Sequence, residues 1–133
     1  MGGHALKVNT YRKTTDEFNK IASDIIPIIE NSLGTETFIA KCYHTKETHG
    51  DMDILIRFGD KQQNINLVEF IKSTFKPIDI YNNGGVVSFD YDGFQIDFIS
   101  IKTSNWEIAK TWYSYDPFSN LVGKICKQFN FTV

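Results

Sequence analysis

Two tight-turn signals place the firmest limit on what this chain can fold into. Asn82-Asn83-Gly84-Gly85 and Asp92-Gly93 bracket the run Val86 to Asp90, with Ile78 to Tyr81 before them and Phe94 to Ile101 after. Asn-Gly and Asp-Gly accept the left-handed backbone of a two-residue hairpin loop, so each reads as a reversal between neighbouring antiparallel strands. A three-strand meander is therefore expected. Its last strand, Phe94-Gln95-Ile96-Asp97-Phe98-Ile99-Ser100-Ile101, sets one aspartate among apolar residues.

A second strand poses the same problem more sharply. In Gly50-Asp51-Met52-Asp53-Ile54-Leu55-Ile56, alternation puts Asp51, Asp53 and Leu55 on one face and Met52, Ile54 and Ile56 on the other. Aspartate is disfavoured in strands, and like charges side by side repel. A divalent cation between them is the simplest reason for the arrangement. Asp97 joins as a third carboxylate, and all three are hard oxygen ligands of the kind that suits Mg²⁺ or Mn²⁺. Two such ions about 3.5–4 Å apart activate a hydroxyl and hold the leaving group of an in-line phosphoryl transfer. The competing reading is a set of salt bridges. Arg57 is the only basic residue within either motif strand, and it lies toward the far end of its own.

Around these strands the pattern alternates between helix and strand. Thr14 and Glu17 have capping-box spacing, and Phe18, Ile21, Ile25, Ile28 and Ile29 follow a helical period to about Leu33-Gly34. Pro27 inside that run is expected to kink the helix or divide it in two. Glu36 to about Tyr43 reads as a strand, and the polar run His44 to His49 as its connection to Asp51. An amphipathic helix is expected from about Asn64 to Phe75, with Ile65, Val68, Ile71 and Phe75 on one side and Pro77 stopping it. Beyond Thr103 the pattern is helical through Trp106, Ile108 and Ala109 to the aromatic cluster Trp112-Tyr113-Tyr115. Asp116-Pro117 opens a last helix to about Gln128, and Asn130 to Val133 reads as the start of another strand, as in a piece of a longer chain. Gly2 and Gly3 suggest a flexible terminus, and His4 alone makes no ligand site. The expected class is α+β, a mixed sheet with helices on one face, in a single domain over residues 1–133.

Composition narrows the functional classes. At 133 residues and 41% hydrophobic, the chain suffices for one domain with a real core. Lys and Arg number 14 against 16 Asp and Glu, so no global basic charge announces a nucleic-acid partner. Cys42 and Cys126 are few and far apart, which fits a reduced intracellular protein. No apolar run approaches a membrane span, and the N-terminus does not read as a signal peptide. The abundance of Ile, Lys and Asn fits an AT-rich genome, a viral or phage source included.

Phe38 to Ile56 resembles the catalytic segment of X-family DNA polymerases, within the polymerase-beta-like nucleotidyltransferase superfamily. There a strand ending in Gly-Ser runs through a polar turn into Gly-Asp-x-Asp and a second strand, and the third aspartate follows on a strand like Gln95-Ile96-Asp97-Phe98-Ile99. Tyr113-Ser114-Tyr115-Asp116-Pro117-Phe118, a helix, and Phe131-Thr132 resemble the passage from the palm into the nucleotide-facing subdomain, placing that transition at about 104–133. The resemblance covers about Thr35 to Val133. It implies a palm-type fold, metal binding by Asp51, Asp53 and Asp97, and Asp97 nearest the attacking hydroxyl. It also implies an NTP or dNTP substrate, with Gly50, Lys41, His44, His49, Tyr113 and Asp116 on the nucleotide side. The acceptor it implies is a DNA or RNA 3′ end, gripped with help from regions outside this chain.

The chain departs from the pattern at the phosphate end. Ala40-Lys41 stands where the family has Gly-Ser, His44 where it has a phosphate-binding arginine, and His49 where it has a small residue. Lys41 still offers phosphate a point charge, whereas His44 is neutral for much of the time near pH 7. A zinc site at His44 and His49 would need further Cys or His at ligand spacing, which the sequence lacks. Trp112, Tyr113 and Tyr115 suit base stacking and core packing equally. Three further functions stay open: transfer to a protein, tRNA or small-molecule acceptor, a non-catalytic nucleotide-binding domain, and an interaction module with the aspartates in surface salt bridges.

Overall fold

A computed structural model describes residues 6–40 and 48–112. In chain order they form β1 (Lys13–Thr14), α1 (Thr15–Leu33), β2 (Thr37–Ile39), β3 (Thr48–His49), β4 (Asp51–Phe58), a 3₁₀ turn (Asp60–Gln62) and α2 (Leu67–Thr74). Then follow β5 (Ile80–Asn83), β6 (Val86–Tyr91), β7 (Phe94–Lys102), a second 3₁₀ turn (Thr103–Asn105) and α3 (Trp106–Trp112). The expected last helix from Asp116 and the strand at Asn130 lie outside the described residues.

The main sheet has the order β2-β4-β7-β6-β5 and is mixed. β4 runs parallel to β7, and the other neighbouring pairs are antiparallel. The meander is as the turn residues predict. Asp92 and Gly93 both take positive φ, 53° and 70°, between partners Tyr91 and Phe94, the geometry of a type I′ hairpin.

Alternation along the strands divides the sheet into two unlike faces. Met52, Ile54 and Ile56 of β4, Val87 and Phe89 of β6, and Ile96 and Phe98 of β7 pack against α1 and α2 in the larger core. On the reverse face Leu55, Ile99 and Ile101 pack with Trp106 and Ala109 of α3. The α+β class and mixed sheet hold, but the helices are not all on one face. An i, i+3 pair such as Trp106 and Ala109 makes an apolar stripe without saying which face receives it.

Pro27 does not divide α1, which runs unbroken over 19 residues. An interior proline costs about 3 kcal/mol, but Phe18, Ile21, Ile25, Ile29 and Leu33 are buried on both sides of it, and Pro27 itself is exposed. Their burial outweighs the lost hydrogen bond. Ile28, expected inward, is 40% exposed, because the buried stripe is centred on Ile21, Ile25 and Ile29. Further boundaries move. β2 covers only Thr37–Ile39 of the expected strand, whose end from Lys41 to Tyr43 lies outside the described residues. Thr48 and His49, expected in a connection, pair antiparallel with β1. α2 begins later than expected, at Leu67, where Asn66 accepts from the Glu69 N–H. Ahead of it Gln62 is buried and donates to the Leu33 and Gly34 carbonyls, tying the end of α1 to the turn after β4. α2 stops at Thr74, with Lys76 in a left-handed conformation (φ 49°) just before Pro77.

The capping box at the start of α1 forms as its spacing predicts. The Glu17 N–H donates to the Thr14 hydroxyl at 3.2 Å, and the Thr14 N–H donates to the Glu17 carboxylate at 3.0 Å. That backbone bond, and then the Thr14 hydroxyl, hold the Glu17 carboxyl below its ordinary range. Thr14→Ala is expected to destabilise the protein by about 1 kcal/mol in urea unfolding at neutral pH. Because the folded-state value is depressed, Glu17's own contribution is present above the ordinary glutamate range and lost as pH falls through the folded value. The effect of Thr14→Ala should therefore shrink in acid.

Candidate metal centre

The three aspartates meet because β4 and β7 are parallel neighbours at the middle of the sheet. Asp53 stands opposite Asp97 in the register, and Asp51 opposite Gln95. Adjacent strands lie about 4.8 Å apart, so residues in register on one face are brought side by side. One carboxylate oxygen from each of Asp51, Asp53 and Asp97 lies within 4.8 Å of the others. Asp97 is buried and the other two are half-buried.

The donor set fits a hard divalent cation. It is all oxygen and anionic, and two oxygens on one Mg²⁺ stand at most about 4.2 Å apart, twice a bond of about 2.1 Å. Small side-chain rotations would close the cluster on an ion. No ion pair binds Arg57 to these aspartates; its guanidinium pairs with Glu36 at 2.7 Å. Glu36 and Arg57 lie where β2 and β4 meet, at the far end of β4 from Asp51.

The expected nucleotide-side residues fare unequally. Gly50 is buried between β3 and β4, directly before the aspartates. His49 is neither a solvated loop histidine nor turned toward the cluster. It is 4% exposed, stacks on Phe18 of α1 at 4.2 Å between ring centroids, and its Nε2 lies 3.2 Å from the Thr15 hydroxyl. His49 thus packs on the α1 side, and Asp51 takes the opposite face with Leu55. Strict alternation would have put both on one face; the phase changes at Gly50. The Ala40 N–H donates to the Asp53 carbonyl at 2.9 Å, which sets Ala40 beside the strand that carries the centre. Lys41, His44, Tyr113 and Asp116 themselves lie outside the described residues.

Two polar residues beside the centre escaped the sequence reading. Gln95 donates from Nε2 to the Asp97 carboxylate at 2.9 Å, and Ser88 of β6, also buried, is the register partner of Asp97 on its other side. Both were within reach. Gln95 is two residues before Asp97 on one strand, and a two-residue turn at Asp92-Gly93 dictates that Ser88 faces Asp97.

Among the described residues, no helix is long and apolar enough to cross a membrane. No protein-family model and no curated protein matches this chain.

Proposed function

We propose that the chain is a metal-dependent nucleotidyltransferase, moving a nucleoside monophosphate from an NTP or dNTP to a hydroxyl, most simply at a nucleic-acid 3′ end. The observation that carries this reading is the pairing of Asp53 with Asp97 on adjacent parallel strands, with Asp51 in reach of both. Carboxylates gathered this closely suit a divalent cation, and the sequence resemblance to X-family polymerases supplies a reaction that uses one. Mg²⁺ or Mn²⁺, when bound, neutralises the phosphates and acidifies the acceptor hydroxyl.

The rest falls to the chain. Asp51 and Asp53 would hold the cation that meets the triphosphate, and Asp97 takes the hydroxyl proton as its oxygen attacks the α-phosphorus. The bond from the α-phosphorus to the bridging oxygen breaks in line, and pyrophosphate leaves. Catalysis of this kind needs position and charge compensation more than covalent chemistry. Gly50 has no side chain, so a phosphate reaching it would meet only backbone. With a net charge of −2, the chain lacks a general grip on duplex phosphates, so a nucleic-acid acceptor would be held by a local patch or by another part of the protein.

Incubation with α-labelled NTP or dNTP, a primer–template and Mg²⁺ or Mn²⁺ should give a labelled, lengthened primer and released pyrophosphate. Pyrophosphate release with label on a protein, tRNA or small molecule would keep the reaction and change the acceptor. Absence of Mn²⁺ binding in calorimetry would overturn the reading.

A further inference from the structure

Of the three carboxylates, Asp97 is the most deeply set, and a neutral side chain holds it. Gln95 and Asp97 stand two apart on β7 and share a face, and they are 3% and 8% exposed. The group facing the carboxylate must be the amide NH₂, because a carboxylate has nothing to donate to an amide oxygen. That bond measures 2.9 Å to Oδ1. Gln95 also has Asp51 as its register partner on β4 and Asp90 as its partner on β6. Asp90 has other work, since its Oδ1 accepts the Asp79 N–H at 2.8 Å.

A glutamine buried mid-strand costs free energy unless its polar atoms are matched, and one match here is a candidate metal ligand. We propose that Gln95 is a positioning residue for the metal centre: one amide N–H fixes Oδ1 of Asp97 and leaves Oδ2 for the cation and the acceptor hydroxyl. This rests on the metal-dependent reading above. Glutamine suits the task because it donates without adding a charge. A lysine or arginine at this place would occupy Asp97 in an ion pair and compete with the cation. Gln95 orients the ligand and leaves the negative charge of the cluster whole for the metal. Partners of this kind typically contribute ten- to a hundredfold in metal affinity.

The test is Mn²⁺ binding by calorimetry, without nucleotide, on the full chain. Gln95→Met keeps the length and removes the donor, and Gln95→Leu removes the donor with a shorter apolar side chain. Both should weaken Mn²⁺ about tenfold or more, with metal-free unfolding midpoints close to that of the unmodified chain. In a double-mutant cycle, Asp97→Asn should cost much less in the Gln95→Met background than alone, a coupling that a purely structural role would not produce. Unchanged Mn²⁺ affinity in Gln95→Met, or strictly additive losses, would overturn the role of Gln95 alone. Should Gln95→Met not fold, undiminished affinity in Gln95→Leu would overturn it equally. An unmodified chain that binds no Mn²⁺ would overturn the metal-dependent reading, and the role of Gln95 with it.

Discussion

Asp53→Asn is expected to lower nucleotidyl transfer at least a hundredfold, about 2.7 kcal/mol of barrier, and to weaken Mn²⁺ binding in calorimetry. Both effects come from the same charge. With cation present, the Asp53 carboxylate would be a ligand that asparagine replaces only with a weak neutral oxygen. Its carboxylate oxygen lies within 4.8 Å of those of Asp51 and Asp97, so an ion held by all three would lose one anionic contact. Parallel measurements of label transfer and Mn²⁺ affinity check the pair of effects. Full activity together with unchanged Mn²⁺ affinity would remove Asp53 from the centre.

Phe89→Ala is expected to cost about 3–5 kcal/mol, a large share of the roughly 5–15 kcal/mol that holds a domain of this size together. Phe89 is fully buried on the face away from the aspartates. It stacks on Phe75 at 5.4 Å and meets Phe98 edge-on at 4.9 Å, and Phe75 in turn contacts Tyr91 and Phe98. Truncation opens a cavity and removes two ring contacts at once. Urea unfolding should show a lower midpoint with an unchanged slope. The folded fraction should bind Mn²⁺ as before, since the two faces of the sheet do different work.

What could be foreseen in the sequence was local chemistry. Asp92-Gly93 dictated its hairpin, Thr14 and Glu17 their cap, and the alternation of β4 and β7 the faces of Asp51, Asp53 and Asp97. Each of these depends on residues a few positions apart. The errors came where distant parts of the chain decide the outcome. Pro27 stayed inside α1 because the sheet buries both halves of that helix. His49 was drawn into the core by Phe18, and its pairing with β1 joins segments far apart in the chain. α3 took the reverse face, a choice that its own seven residues do not encode. For the site, alternation placed the carboxylates on faces, but only the parallel pairing of β4 with β7 brought them together. That pairing follows from no propensity; the family resemblance was the one clue to it.

The pairing has a kinetic consequence. A parallel connection cannot close through a short turn, so α2, β5 and β6 must be threaded between Asp53 and Asp97 before the two meet. Closing so long a loop is paid in chain entropy ahead of any reward. The centre can therefore assemble only once that long loop has closed. A cation that needs all three carboxylates would find few footholds on the path and would act mainly on the finished protein. At a hundred times its dissociation constant it would add about 2.7 kcal/mol of stability, and this should appear as slower unfolding, with the folding rate nearly unchanged.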